Sequence, residues 1–592
     1  MEELRRDVTC GELRAGDEGR TVTLNGWVHR TRDHGGVHFL NIRDRYGITQ
    51  VVVAENAPAE LQRAAETAKL EYCLAVRGSV RRRPDDMVNP EMATGEIEVS
   101  AERIEILSPC ATLPFMIDER SEAREETRLK YRYLDLRSFS MQRKIALRSE
   151  VTFRIREYLR GRDFHEIETP TMIKSTPEGA RDFLIPSRLH RGKFYAMPQS
   201  PQLYKQILMV SGFDRYFQIA HCFRDEDARG DRQLEHTQID IEMSFVSKED
   251  VFELVEGMMA HTFRGALGRE LEIPFPRLAY HDAMNRFGSD KPDLRFELEL
   301  SDASEVAAGS GFRVFEDTIS GGGSVKALVV PGGARLSRKQ IDELEGVAKT
   351  YGAKGLAWTK IAEGGLEGGI SRFVGEKEAE IRSLGAATGD LVLFVADRWN
   401  TACIALGAVR SRLGRDLDLI DSDRFAFAWI VDFPLFEWDE ENRKWEAAHH
   451  MFTMPQAQYI DSMEDDPGAV KGDLYDLVCN GYELASGSIR IHNPELQQRI
   501  FDIVGFSLEE AENRFGFLME AFRYGAPPHG GIAPGLDRLL MILAGEESIR
   551  EVIAFPKTTA GISPMDDSPS VVDERQLEEL GIRIVETEEE HS

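Results

Sequence analysis

The chain has 592 residues, too many for one hydrophobic core, and is expected to divide into roughly three or four domains. Its 42% apolar and 9% aromatic content is that of a globular protein, and its net charge of −29 repels polyanions at long range, so contact with phosphate must rest on a local cationic patch. Six cysteines with no CxxC or paired spacing argue against a zinc site and a disulfide framework; MEELRRDVTC lacks a hydrophobic signal core, and no apolar run approaches the length of a membrane span, so a cytoplasmic protein is expected.

Residues 1–108 alternate like a small β-barrel. Apolar-periodic runs near Thr21–Arg32, Val37–Arg43, Ile48–Ala54, Cys73–Arg82 and Glu96–Leu107, with a helical segment Ala59–Leu70 after the third, give the order of an OB-fold. The segment carries 15 Lys+Arg against 19 Asp+Glu, but its cations cluster: Arg30, Arg32, Arg43 and Arg45 around the second strand, Arg81, Arg82 and Arg83 at the end of the fourth. Phe39 and His34 lie where bases could stack. A plain structural barrel and an RNA-reading module fit these residues equally well. Residues 109–138 mix prolines with dense charge and read as a linker with a short charged helix. A long amphipathic helix follows, with Leu147, Val151, Ile155 and Leu159 on one face and its end near Gly161.

In the next stretch Pro170 interrupts the strand-like Glu166–Ile173, which places it at an edge or interface. The loop Ser175–Asp182 has the glycine and charge of a substrate-side loop, though an ordinary turn has the same features. Met197–Gln206 sets Ser200, Gln202 and Lys205 at a strand-to-helix junction, where a helix cap is the plainer reading. Then comes Phe217–Phe245, two period-2 runs flanking a polar segment with Gly230, the pattern of a long hairpin. Its second run sets Ile239, Ile241, Met243 and Phe245 on one face and Gln238, Asp240, Glu242 and Ser244 on the other: a core face, and a face that is either solvent-washed or functional.

Residues 285–420 change texture to short strands with Gly-rich turns and a helix over Asn400–Leu417, a self-contained α/β insertion. From Phe425 strands resume: a hairpin turns at Asp439–Arg443, and the pair His449 and His450 follows. In YDLVCNGYELASGSIRI the apolar phase shifts between Leu484 and Ile489; a β-bulge at Gly487 would absorb the extra residue and bring Glu483 and Arg490 to one face. In HGGIAPGLDRLLMILAG, glycines allow close backbone approach and Leu536 opens an apolar helix with Asp537 and Arg538 in its first turn. An arginine there opposes the helix dipole, so it calls for an anionic ligand. Residues 561–592 form a Pro-, Ser- and Glu-rich tail, expected to be partly disordered.

Three elements in this order, the ETP strand around Pro170, FRDE at Arg224 and GLDR at Gly535–Arg538, resemble motifs 1, 2 and 3 of the class II aminoacyl-tRNA synthetases. The strings STPEGARDF, QSPQLYKQ, RQLEHTQID and GYELASGSIRIH, the N-terminal barrel and the insertion between motifs 2 and 3 extend the resemblance to the bacterial aspartyl-tRNA synthetases of class IIb over essentially the whole chain. The resemblance implies a multidomain α+β protein: an OB-fold anticodon-binding domain (1–108), a hinge (109–138), a catalytic domain on an antiparallel sheet (139–284 and 421–560), the insertion (285–420) and a C-terminal extension (561–592). It implies a homodimer joined through the motif 1 region around Pro170.

The resemblance also implies ATP-dependent ligation of L-aspartate to tRNA through an aspartyl-adenylate, with Mg²⁺. Arg224 is then expected at the α-phosphate and attacking carboxylate, and Arg538 at the far end of ATP, with Glu226, Gln233, Glu483, Gly535, Leu536 and Asp537 completing the nucleotide site. Asp476 and Glu483 are expected to hold Mg²⁺. Arg490 and Lys205 are expected on the aspartate side chain, Glu178, Gln202 and Asp240 around its ammonium group, and His449 closing over it, with Glu242 at one remove. His34 in DHGGVHF resembles the subgroup that charges both tRNA(Asp) and tRNA(Asn), whereas Asp86 stands where that subgroup often has glycine; Arg30 and Phe39 are expected to read anticodon bases. Relaxed specificity for both tRNAs is the leading expectation. The alternatives are an enzyme restricted to tRNA(Asp), a lysyl- or asparaginyl-tRNA synthetase, and a non-catalytic RNA-binding paralogue.

Overall fold

The computed structural model describes residues 4–118, 122–176, 180–227 and 229–585. The chain forms two compact units: Met1–Ala146 with Ala554–Thr558 and Ser563–Ser568, and Leu147–Ile553 with Thr559–Ile562 and Pro569–Ser592.

In the first unit β1 (Thr21–His34), β2 (Val37–Asp44), β3 (Gly47–Val53), β4 (Cys73–Arg82) and β5 (Ile97–Ser108) close into a barrel in the order β1-β2-β3-β5-β4, and the helix Ala59–Thr67 lies between β3 and β4. Its interior is the period-2 set of the sequence, with Val22, Leu24, Ile42, Val51, Leu74, Val76 and Val99 fully buried. Two arginines expected on its surface are inside. Arg43, 2% exposed, forks onto Glu71 at 2.8 and 2.9 Å, and Arg137 of the following segment joins the same carboxylate at 3.0 Å. Arg83 is also buried and donates through Nε to the Ile97 carbonyl. Glu71 and the covering Arg137 create a paired, desolvated niche for Arg43 that clustering in the sequence does not reveal. Beyond the barrel come the helices Glu125–Lys130 and Arg132–Asp135.

The helix Phe139–Arg160 carries the chain into the second unit, and its part from Leu147 on buries Val151, Ile155 and Leu159 completely, as the spacing of four dictates. The strand expected over Glu166–Ile173 shortens to β6 (His165–Glu166), because the chain leaves the sheet before Pro170, which has no N–H for a ladder. A small hairpin follows, β7 (Leu184–Pro186) and β8 (Phe194–Ala196); then β9 (Arg215–Phe223), β10 (Glu235–Ser244) and β11 (Arg277–Ala279). β12 (Leu300–Asp302), β13 (Ser324–Val330), β14 (Ala357–Ala362), β15 (Gly365–Glu367) and β16 (Leu391–Asp397) make a separate antiparallel sheet in the order β12-β13-β16-β14-β15. Both of its faces are covered: Leu328, Leu393 and Val395 pack in one core, Ala327, Val392 and Phe394 in another. That is why LVLFV reads as an unbroken apolar run. β17 (Phe427–Val431), the hairpin of β18 (Phe436–Asp439) and β19 (Lys444–Ala447), β20 (Leu474–Cys479), β21 (Tyr482–Ile489) and β22 (His529–Pro534) complete the strands.

Eight strands form the central sheet, β11-β17-β20-β21-β22-β10-β9-β6, antiparallel except at its two outer pairs. The apolar face of β10, Ile239, Ile241 and Met243, is buried in the main core with Phe252, Trp429 and the helix Leu536–Ala544. Phe245 does not belong to that face: β10 ends at Ser244, and Phe245 turns to φ 58° with 72% of its surface exposed. The opposite face is not solvent-washed, since Asp240 and Glu242 are 0% exposed.

The phase shift in β21 is present but displaced. Asp476↔Ser486, Tyr475↔Gly487 and Leu474↔Ser488 pair without interruption, so there is no bulge at Gly487. The extra residue is Leu484, between Val478↔Glu483 and Leu477↔Ala485. Gly487 has a different duty: a Cβ there would lie 2.4 Å from the Gly531 carbonyl and 2.6 Å from the Tyr475 ring. The flanking serines and glycine mimic a bulge signal in a stretch where close strand contact is the actual constraint.

Candidate active site

A cavity of about 630 Å³ opens on the polar face of the central sheet, between the hairpin β9–β10, strand β21, and the N-termini of the helices Gln202–Val210 and Leu536–Ala544. Strand alternation aims Asp240 at it and sets the buried Glu242 on the same strand face, behind Lys205 and Arg490 of its lining, and the bulge at Leu484 lets Glu483 and Arg490 share its wall despite their odd separation.

One end is a charge-balanced cluster. Lys205 Nζ lies 2.8 Å from Asp240 Oδ1 and 3.2 Å from Glu242 Oε2. Arg490 donates from Nε to Glu242 Oε1 at 3.0 Å and from Nη2 to Oε2 at 3.2 Å, while Nη1 reaches His450 Nε2 at 2.8 Å and Ser488 Oγ at 2.6 Å. These four charged groups are nearly or fully buried, a placement tolerated only because two cations face two anions. Burial opposes the charge of Glu242, but the Arg490 and Lys205 cations more than offset it and hold its carboxyl below the usual range. For Asp240 burial prevails over Lys205 and the carboxyl is raised. Burial, then the Arg490 charge, holds His450 well below the ordinary imidazole pKa, so the ring is neutral and accepts from Arg490. His449 lines the same cavity against the Phe433 ring and is lowered by burial.

The other end is cationic and incompletely satisfied. Arg224 follows β9, and Arg538 stands in the first turn of its helix; the Nε of each is buried with no hydrogen-bond partner among the described residues. Arg538 also donates from Nη1 to the Glu483 carbonyl and from Nη2 to Asp231 at 3.0 Å. Glu226 pairs with Arg232 at 3.3 Å, and Gln233, 4% exposed, lines the cavity. Burial and then the Arg224 charge push His236 down to about 3. On the neighbouring strand β20, opposite Ser486, lies Asp476, whose Oδ1 is buried with no hydrogen-bond partner among the described residues; burial, then the Glu483 charge, raises its carboxyl well above the usual range. No group of three or more His, Cys, Asp or Glu residues suited to a metal occurs among the described residues.

Of the residues singled out in the sequence, Gln202, Lys205, Arg224, Glu226, Gln233, Asp240, His449, Glu483, Arg490, Gly535, Asp537 and Arg538 all line this one cavity. Asp537 engages both carboxylate oxygens elsewhere, with Arg148 at 2.5 Å and the Thr237 N–H at 2.7 Å. Leu536 points into the main core, and Glu178 lies outside the described residues. Sequence reasoning set Glu242 at one remove and passed over His450, Ser488 and Asp231, all of which touch an arginine of the site. Only the alternation of Glu242 with Asp240 could have flagged any of them.

The barrel of the first unit presents its own candidate surface. Arg30, Arg32 and His34 alternate along β1 and are exposed, and Phe39 of β2 faces Arg32 across the ladder. Asp86 is exposed in the short turn Asp85–Met87.

Residues 124–559 match the family model for tRNA synthetases class II (D, K and N), and residues 22–107 match that for the OB-fold nucleic acid binding domain. Among curated relatives, an Aspartate--tRNA(Asp/Asn) ligase of Treponema denticola is 64% identical over 99% of this chain and 100% of its own length. Ligases of the same name from Treponema pallidum, strain Nichols, and Caldanaerobacter subterraneus are 57% and 52% identical, each covered over 98% of its length by 99% and 98% of this chain. Of solved structures, an asparaginyl-tRNA synthetase from Pyrococcus horikoshii shares the fold at a TM-score of 0.58 and 20% identity, over 93% of this chain and 98% of its own. With a match over most of its length and relatives this similar end to end, the chain belongs to the class II tRNA synthetases of the D, K and N group.

Proposed function

We propose that this protein ligates L-aspartate to tRNA through an aspartyl-adenylate, using ATP, and charges both tRNA(Asp) and tRNA(Asn). The observation that carries the reading is one cavity with a paired Lys–Arg–Asp–Glu cluster at one end and two arginines with unpartnered buried Nε donors at the other. Such a cavity brings two anions together.

Activation is an in-line attack of the substrate α-carboxylate on the ATP α-phosphate, governed by positioning and charge neutralisation. Arg224 meets the α-phosphate and the attacking carboxylate, and Arg538 the outer phosphates; Glu226, Gln233 and Gly535 line the rest of the nucleotide site. The attacking carboxylate is already ionised, so this step needs no protein base. Asp476 and Glu483 suit Mg²⁺: both are hard carboxylates, Asp476 keeps an unpartnered oxygen, and two protein ligands leave positions for phosphate oxygens and water. The ion would neutralise phosphate charge.

Arg490 receives the substrate side chain. Glu242 takes its Nε–Nη2 side, so a carboxylate meets the Nη1–Nη2 edge end-on, replacing His450 or Ser488 at Nη1, with Lys205 adding charge. Asparagine would turn an amide NH₂ toward these donors and leave buried hydrogen bonds unmade. Asp240 and Gln202 face the substrate ammonium group, joined by Glu178, and His449 closes over it.

The barrel reads the anticodon through Arg30, His34 and Phe39, with Asp86 in the adjoining loop. The curated relatives named above are Asp/Asn ligases, which favours relaxed tRNA choice. We assign 1–108 to anticodon binding, 109–138 to a hinge, 139–284 and 421–560 to catalysis, 285–420 to an insertion and 561–592 to a C-terminal extension, and place the protein in the cytoplasm. Among the described residues no helix is long and apolar enough to cross a membrane. The exposed apolar side chains Phe153, Met172 and Leu184 around Pro170 suit a homodimer contact. Charging purified tRNA(Asp) and tRNA(Asn) transcripts tests the whole reading. Comparable efficiencies are expected; charging of tRNA(Asn) lower by orders of magnitude would restrict the enzyme to tRNA(Asp), and charging of neither would overturn the function.

A further inference from the structure

Asp231 has no role in the scheme above, yet it holds one of its key cations. Its Oδ2 accepts from Arg538 Nη2 at 3.0 Å, and both side chains keep partial exposure, 34% and 21%. The segment 229–232 that carries it is anchored: Arg229 and Arg232 bridge backbone to backbone, the Gly230 carbonyl accepts from the Ile549 N–H at 3.0 Å, and the Arg229 carbonyl from Arg550. Asp231 therefore meets Arg538 from a fixed base. Arg538 is fixed on its other side by the Glu483 carbonyl, while its Nε has no acceptor among the described residues. A phosphate that grips this guanidinium at two points, through Nε and Nη2, replaces Asp231 at Nη2 or shares that nitrogen with it, whereas Nε alone gives it one point.

We propose that Asp231 is a positioning residue for the nucleotide: its carboxylate holds the Arg538 guanidinium extended toward the cavity, competes with the outer phosphates of ATP for it, and recaptures it as pyrophosphate departs. This rests on the reading that Arg538 meets those phosphates. The competition lowers ATP affinity by the fraction of time Asp231 holds the arginine, and speeds product release by the same preference. A partly exposed pair of this kind amounts to about two- to fivefold in affinity.

Calorimetric titration of the full-length chain with ATP and, separately, AMP tests this in Asp231→Asn, Arg538→Gln and the double variant. Asp231→Asn is expected to bind ATP and pyrophosphate about two- to fivefold more tightly, leave AMP unchanged, and lower both KM for ATP and kcat in pyrophosphate exchange as release slows. In the Arg538→Gln background it is expected to change nothing. Unchanged or weaker ATP binding in Asp231→Asn would overturn the proposal, and so would equal tightening in the Arg538→Gln background, which would mean simple repulsion of phosphate. If Arg538→Gln alone left ATP affinity intact, the assignment of Arg538 itself would fall.

Discussion

Glu242 occupies the Nε–Nη2 side of Arg490, and Gly531 makes room for Glu242. The two residues face each other across β10 and β22, and a Cβ at Gly531 would sit 2.1 Å from Glu242 Oε2 and 2.1 Å from the Ile241 carbonyl. Neither the buried carboxylate nor the ladder can give way freely. Gly531→Ala is expected to cost about 1–3 kcal/mol of stability from overpacking and to raise KM for aspartate far more than KM for ATP. Steady-state exchange kinetics check this; an unchanged aspartate KM in a folded variant would remove Glu242 from the positioning of Arg490. Arg490 and Arg538 were legible in the sequence because motif strings carried them. The pairing of Glu242 with Arg490, 248 positions apart, was not, because no local pattern records which cation a buried carboxylate will meet. His450 was missed for the same reason, its neighbour His449 having the family resemblance.

At the scale of elements, period-2 alternation found all five barrel strands within a few residues and the apolar face of β10, since one-sided burial writes itself directly into a strand. It failed where both faces are buried: the carboxylate face of β10 reads like a solvent face, and only the cavity tells them apart. The bulge of β21 was legible as a phase shift but not in its position, because glycine serves close strand approach as readily as a bulge. That position can be tested. Deleting Leu484 should join Glu483 to Ala485 in an unbroken ladder and, by making the separation from Arg490 even, keep both side chains on the cavity face. The expected outcome is retained ATP-dependent exchange in a protein whose circular dichroism remains close to wild type. Loss of exchange in such a folded variant would place the extra residue elsewhere.

For the whole molecule, the net charge of −29 disfavours phosphate at long range, while cations gather locally, Arg224 with Arg538 in the cavity and Arg30 with Arg32 exposed on the barrel. Burial also fixes an acid response. His29, desolvated in the barrel and beside Arg43, is held down to about 4, and His236 to about 3, against an ordinary 6.5. Between these values and 6.5 the unfolded chain binds protons that the folded chain does not, so each ring contributes stability that is lost as pH falls through that window. His29→Gln is expected to make the denaturation midpoint less sensitive to pH below 6.5; an identical pH slope would contradict the burial of this ring. Assembly is testable at the same scale. Phe153→Asp with Met172→Asp should convert a dimer to a monomer in sedimentation velocity, and a wild-type monomer would refute the assigned contact.

How the cavity reads its amino acid is measured most directly by amino-acid-dependent ATP–pyrophosphate exchange in the wild type and Arg490→Leu. The wild type is predicted to exchange with aspartate and not with asparagine or lysine, and Arg490→Leu to lose aspartate-dependent exchange while still binding ATP. Exchange with asparagine or lysine by the wild type, or undiminished aspartate exchange by Arg490→Leu, would contradict it.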